Sequence, residues 1–244
     1  MRKIISRFLF QRTEDLRDNS YFSQAIIKKF IMKILIVSAT QFEIQPFLEL
    51  AANYPNCDTV ITGVGMVATA FELGRVLHES KYDLLINIGI AGCFDRNLKI
   101  GEVVQVISES FVELGAEDDQ QFIPIEQLGY GKSKFTSSLL QGQNMQLPFV
   151  AQGHGITVNK VHGNADSIAK IKQLSPNSCI ESMEGAAVFF AADKMDIPVI
   201  ELRGISNYVE KRNRATWNIP LAIMNSNKAL IETLDFLSGL FSKI

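Results

Sequence analysis

The chain has 244 residues, with 24 Lys and Arg against 26 Asp and Glu, a formal net charge of −2, and 47% hydrophobic residues. That length and composition exclude a disordered, collagen-like or low-complexity chain and fit one large domain with a sizeable core. The balanced charge supplies no field for nucleic acid, and no apolar run approaches the ~18 residues of a membrane span, so neither partner is expected.

Residues 1–31 stand apart. They carry Arg2, Lys3, Arg7, Arg12, Arg17, Lys28 and Lys29 against Glu14, Asp15 and Asp18. They lack the apolar run and small-residue cleavage site of a signal peptide, and read as a basic extension outside the core. The domain is expected over 32–244. From Met32 the pattern alternates short β-rich runs with helical ones. Strands are predicted at 33–38, 58–62, 84–88, 102–108, 155–158 and 198–206. Helices are predicted at 42–52, at 66–80 with an apolar face of Val67, Ala70, Phe71, Gly74 and Leu77, at 183–195 with Ser182 as cap, and at 222–241. Residues 113–148 read as an excursion with loops. The alternation predicts an α/β fold: one domain, a three-layer αβα sandwich around a mostly parallel, twisted sheet. Cys57, Cys93 and Cys179 are far apart and belong to no ligand cluster. No metal site is expected, and a reduced, cytoplasmic compartment is the simplest reading.

Polar and glycine features collect just after the predicted strands: Thr40 and Glu43, Gly63 and Gly65, Gly89 with Ala91 and Gly92, and Ser206 with Asn207. In open parallel sheets ligands bind at the carboxyl ends of the strands, so these features should meet at one rim. Gly63-Val64-Gly65-Met66-Val67-Ala68 fits a dinucleotide fingerprint, but the acidic residue wanted after the next strand is absent; a glycine turn approaching some other ligand fits better. Thr40-Gln41-Phe42-Glu43 is a capping box in form, and Glu43 is equally a carboxylate at the rim, available as a base. Glu184 either complements a helix dipole or chelates a vicinal diol. Arg203 interrupts an apolar strand and needs a carboxylate partner, for which Glu43 is the candidate. His78, His154 and His162 read as surface or packing residues.

In their order and spacing, the opening 32–34 strand with Glu43, the 63–65 turn, Asn87-Ile88-Gly89-Ile90-Ala91-Gly92, Ser182-Met183-Glu184 and Arg203-Gly204-Ile205-Ser206 resemble the nucleoside phosphorylase/nucleosidase superfamily. Within it the chain is similar to the methylthioadenosine/adenosylhomocysteine nucleosidases. Those carry an aspartate where this chain has Asn207 and a serine where it has Ile90. The elements 89–92, Leu114-Gly115-Ala116-Glu117-Asp118 and 203–207 with Trp217 look more like the futalosine hydrolases of menaquinone biosynthesis. That resemblance implies a cofactor-free hydrolase that splits the N-glycosidic bond of futalosine to release hypoxanthine. It implies a homo-oligomer, a dimer or larger, as the native state. It implies that Glu43 activates water with help from Arg203, that Glu184 with Met183 binds the ribose, and that Asn207 receives the base. Gly65, Ala91, Gly92 and Val161 would wall the cavity. Phosphorylases need a basic, glycine-rich phosphate loop after the first strand; residues 38–41 offer neither, which favours water as nucleophile. Lys211, Arg212 and Arg214 are candidates for the benzoate tail of futalosine, with Trp217 packing on its ring. The alternatives are a methylthioadenosine/adenosylhomocysteine nucleosidase and a non-catalytic nucleoside-binding protein.

Overall fold

A computed structural model describes residues 32–137 and 146–241; the basic N-terminal segment and part of the predicted excursion lie outside the described residues. The chain begins with β1 (Ile34–Ser38), α1 (Gln41–Leu48), β2 (Cys57–Ile61), α2 (Met66–Glu79) and β3 (Leu84–Cys93). Next come β4 (Val103–Phe111), a hairpin of β5 (Gly115–Asp118) and β6 (Gln121–Pro124), β7 (Lys134–Thr136), β8 (Ala151–Thr157) and α3 (Ala165–Leu174). The chain closes with β9 (Ile180–Ser182), α4 (Gly185–Met195), β10 (Val199–Tyr208) and α5 (Ile219–Phe241). Every strand and helix expected from the alternation is present. The hairpin, β7, α3 and β9 are additions: the strands are too short or too polar to show a pattern of their own, and α3 buries only Ile171.

β2, β1, β3 and β10 form the expected parallel sheet. All five residues of β1 are buried, as a strand covered on both faces requires. On one face Leu35, Val37 and Leu85 pack with Leu73 and Leu77 of α2 and Val188, Phe189 and Ala192 of α4. Ile34 and Ile36, also buried, alternate to the other face, the side on which α1 packs against α5.

Beyond β10 the sheet is not an open parallel one. β10 pairs antiparallel with β4, β4 pairs parallel with β8, β8 parallel with β9, and β9 antiparallel with the end of β3. The strands β3, β10, β4, β8 and β9 therefore make a closed ring within a mixed sheet. Closure needs sharp local bending, and two register shifts supply it. Ile107 is the extra residue of β4 against β8, and Ser206 is the extra residue of β10 against β3.

Helix α2 departs from its predicted face. Its buried residues are Thr69, Leu73 and Leu77, spaced four apart, while Val67, Ala70, Phe71 and Gly74 face outward. Both stripes are apolar at helical spacing, and the position of α4 decides which one is covered.

Candidate active site

Glu43 sits in the first turn of α1. Thr40 caps the helix, its Oγ1 accepting from the Glu43 N–H at 3.2 Å and donating to Glu43 Oε2 at 2.8 Å. The Thr40 cap is thus present, but the carboxylate takes the Thr40 hydroxyl and not its backbone N–H, so the box is half made and the side chain is oriented by the hydroxyl. The other oxygen, Oε1, accepts from the Ile90 N–H at 3.2 Å, which ties α1 to the middle of β3. The carboxylate is only 8% exposed. Both oxygens are fixed and each retains a lone pair for a further donor.

Gly89 explains how closely β3 approaches this group. A Cβ there would run into Arg203 Nη1 and lie 2.9 Å from Glu43 Oε1. The absent side chain at Gly89 leaves the space into which Arg203 and Glu43 both point.

Arg203 is 1% exposed. Its ion-pair partner is Glu201, whose Oε1 accepts from Nε at 2.6 Å; Glu184 Oε2 lies 3.6 Å from Nη1. The expected pairing with Glu43 is replaced, because residues two apart on a strand share a face and Glu201 is the nearer acid. Burial works against the guanidinium charge, but Glu201, Glu184 and Glu43 outweigh it and the Arg203 pKa is raised. Glu109, wholly buried, completes the cluster. A Cβ on Gly185 would run into Glu109 Oε1 and come within 2.7 Å of Glu201 Oε1, so the two carboxyls crowd one point. Burial, then the charge of Glu201, push the Glu109 pKa well up, and burial raises Glu201 against the pull of Arg203. Glu109 Oε1 and Glu201 Oε2 have no hydrogen-bond partner among the described residues, so the two acids meet without a bond between them.

Glu184 immediately precedes α4. Its Oε1 accepts from the Gly65 N–H at 3.0 Å. Gly65 has φ +96°, a conformation closed to most side chains, and this aims its N–H across to α4. The donor that a phosphate would use in a dinucleotide site is therefore taken by a carboxylate. Ser182 is not the cap expected of it: the helix starts two residues later than predicted, Glu184 is its N-cap, and Ser182 ends β9 with its Oγ 3.4 Å from the Gly185 N–H. Met183 lies half-buried between Ser182 and Glu184. Beside this junction opens a cavity of about 450 Å³, walled by Met66, Ala70, Phe111, Ala187 and Phe190.

Asn207 follows the Ser206 bulge and pairs with Gly92. Its Oδ1 accepts from Ser206 Oγ at 2.8 Å, and its Nδ2 donates to the Tyr208 carbonyl at 3.0 Å. The carbonyl fixes which end of the amide is which, because two acceptors at that distance would repel. The position is built for a carboxamide. Ser206 Oγ also lies 3.1 Å from the Ala91 carbonyl, which ties the ends of β10 and β3 together, while the Ala91 side chain packs in the core with Cys93, Val104 and Ile205.

On the far side of Gly92 stands Glu181, its strand partner in β9. A Cβ on Gly92 would be 3.4 Å from Asn207 Nδ2 and 3.5 Å from Glu181 Cγ, so the two side chains flank the glycine on one face. Glu181 Oε2 contacts His162 Nδ1 at 2.6 Å, and Oε1 accepts from the His162 N–H at 2.9 Å. Burial raises the Glu181 pKa, opposed by both hydrogen bonds from His162. His162 is thus buried and paired with Glu181 and is not isolated. His154, by contrast, packs as expected, its Nδ1 2.7 Å from Ser108 Oγ. Val161, one residue before His162, is 39% exposed. Arg212 stacks on the Trp217 ring at 4.9 Å and donates its backbone N–H to Gly163, so the face of Trp217 meant for an aryl group carries a guanidinium.

The structure therefore brings Glu43, Arg203, Glu184 and Gly65 together, while Asn207 and Gly92 are neighbours at the carboxyl ends of β10 and β3. The sequence reading missed Glu109, Glu201, Glu181 and His162. Only Glu201 left a signal, as an acid two residues before an arginine in an apolar strand.

A sequence profile of the phosphorylase superfamily matches residues 58–238. A futalosine hydrolase of Streptomyces coelicolor is 31% identical over 172 residues, covering 68% of this chain and 73% of its own. One from Acidothermus cellulolyticus is 30% identical, covering 73% and 77%. Among solved structures, the methylthioadenosine/adenosylhomocysteine nucleosidase of Colwellia psychrerythraea in complex with adenine superposes with a TM-score of 0.70 at 22% identity, over 84% of this chain and 95% of that one. On the profile match and the relatives it accords with, this chain belongs to the phosphorylase superfamily.

Proposed function

We propose that the protein is a cytoplasmic nucleosidase that hydrolyses the N-glycosidic bond of futalosine, a step of menaquinone biosynthesis, releasing hypoxanthine. Asn207 carries this reading. Hypoxanthine presents a carbonyl at its six-position and adenine an amino group. A carboxamide that already donates to Tyr208 has a second N–H for a carbonyl or an imidazole nitrogen, whereas a carboxylate there would face the Tyr208 carbonyl oxygen. Sites built on such hydrogen bonds reject the mismatched partner strongly, because a buried group goes unpaired.

The roles follow from the bond. Its cleavage develops oxocarbenium character on the sugar and negative charge on the base. Glu43, held by Thr40 and Ile90, takes the proton of the attacking water. Glu184, fixed at one oxygen by Gly65, accepts from the ribose hydroxyls. Arg203, neutralised by Glu201, acts as a fixed charge behind both carboxylates. The cavity beside Met66 offers apolar walls to the substituent on the ribose, and Lys211, Arg212 and Arg214 are the cations of the loop after β10 for its carboxylate. The resemblance to methylthioadenosine/adenosylhomocysteine nucleosidases supports a second reading with adenine as the base.

The deciding experiment offers futalosine, inosine and methylthioadenosine in parallel, with and without phosphate, and measures free base. Hypoxanthine release from futalosine, indifferent to phosphate, is expected, together with a loss of about 10²–10³-fold in Asn207→Asp. Faster release of adenine, or a requirement for phosphate, refutes the reading.

A further inference from the structure

Glu184 is the N-cap of α4, yet its side chain makes no capping bond. One of its oxygens accepts from the Gly65 N–H and the other faces Arg203. The first N–H groups of a helix have no partner inside it, and when buried they need one from elsewhere. Ser182 Oγ lies 3.4 Å from the Gly185 N–H. The next N–H, that of the fully buried Ala186, is taken by Thr157, whose Oγ1 accepts from it at 2.6 Å.

Thr157 ends β8 and pairs with Ser182 of β9, so it stands beside the junction that carries Glu184. Its one hydroxyl hydrogen goes to Glu109 Oε2 at 2.9 Å, which leaves the lone pairs of the oxygen for Ala186. Glu109 is wholly buried on β4, and two glycines make room for its carboxyl. A Cβ on Gly155, its partner in β8, or on Gly185, the first residue of α4, would run into Oε1. The acid is thus seated between the strand that carries Thr157 and the helix that Thr157 caps. Arg203 already has Glu201 as its ion-pair partner, and a further buried acid is costly unless it holds something in place.

We propose that Glu109 and Thr157 are a positioning pair for Glu184. The acid orients the hydroxyl, the hydroxyl caps α4 in place of the Glu184 side chain, and the Glu184 carboxylate is left free to face the ribose. This rests on the reading of Glu184 as the group that accepts from the ribose hydroxyls. Without the Thr157 hydroxyl, the Ala186 N–H loses its acceptor and draws the Glu184 carboxylate back over its own helix, as an ordinary N-cap would sit.

The test compares futalosine with its 2′-deoxy analogue, which keeps the base and the substituent and lacks one hydroxyl for Glu184. Base release is measured per folded molecule, with the folded fraction taken from the melting curve of each variant. Thr157→Val keeps the shape of the side chain and removes the hydroxyl. It should lower kcat/KM for futalosine by about 10–100-fold and for the deoxy analogue by no more than about threefold. Thr157→Ser restores the hydroxyl and should bring futalosine back to within about threefold of wild type. Glu109→Met removes the acceptor and should repeat the selective loss, while Glu109→Gln, whose carbonyl accepts from Thr157, should restore activity. An equal loss on both substrates in Thr157→Val makes Thr157 a plain wall of the cavity and overturns the proposal, as does undiminished futalosine turnover. Equal losses in Glu109→Met and Glu109→Gln would trace the effect to the charge beside Arg203 and remove Glu109 from the pair. A wild-type protein that releases no base from futalosine refutes the substrate reading, and one that treats the two sugars alike refutes the role given to Glu184; the positioning pair falls with either.

Discussion

Glu43 shows how one residue serves as a helix cap and as a site group at once. Its backbone N–H completes the cap of α1, while its carboxylate is turned inward and held at both oxygens by Thr40 and Ile90. A glutamine keeps that shape, accepts from the Ile90 N–H through its carbonyl oxygen, turns its NH2 to the Thr40 hydroxyl as a donor, and cannot take a proton. Glu43→Gln should therefore fold with an unchanged Tm, bind futalosine nearly as wild type, and lose about 10²–10⁴-fold in turnover. Single-turnover base release with calorimetric binding separates the two effects; normal turnover would leave Glu43 as a cap alone. The residue scale is also where the sequence was most legible. Glu43, Glu184, Arg203 and Asn207 each stand just after or within a strand at the rim, and the family resemblance supplies the roles that a cap, a helix dipole or an ion pair would otherwise account for. A lone histidine such as His162 carries no mark of its partner in the sequence, because Glu181 lies 19 positions away.

At the scale of elements, β10 and β4 deliver the buried acids. Alternation puts Glu201 and Arg203 on one face of β10, and α4 brings Gly185 over Glu109 and Glu201. This arrangement has a pH signature. The folded-state pKa of Glu109 lies above its ordinary value of 4.5, chiefly through burial. The folded protein then holds a proton that the unfolded chain releases once pH passes that value. The contribution to stability is complete at lower pH and is lost as pH rises from there through the folded-state pKa. Glu109→Gln is neutral at every pH and can donate toward Glu201. Its melting temperature should match wild type near pH 5 and exceed it near pH 8 by about 2–4 °C, corresponding to ~1 kcal/mol. Melting curves that stay parallel from pH 5 to pH 8 would exclude a proton held at Glu109. In α2, by contrast, the sequence offered two apolar stripes and no means of choosing. Packing against α4 buried Thr69, Leu73 and Leu77 and left Val67 and Phe71 78% and 71% exposed.

That exposed stripe matters for the whole molecule. Val67, Phe71 and Phe190 present large apolar side chains on neighbouring helices, a surface that monomers seldom leave uncovered. A homo-oligomer that covers it fits the partner implied by the resemblance. Phe71→Asp should shift the sedimenting species to monomer and lower turnover where a neighbouring subunit helps to wall the cavity beside Met66; an unchanged mass would assign the stripe to the bare surface. The α/β class and the strands β1, β2, β3 and β10 were determined by the sequence, because periodicity and turn residues act within a few positions of themselves. The closing of the sheet into a ring depended on contacts between strands far apart in the chain, above all β9 with β3 and β8, a three-residue strand with no pattern to read. Alternation alone would put Ile205 and Asn207 on the same face. The bulge at Ser206 sets them opposite consecutive residues, Ala91 and Gly92, and so turns Asn207 toward Glu181. Which side chains face each other across the site was settled by that register, which local preference does not encode and only the folded sheet supplies.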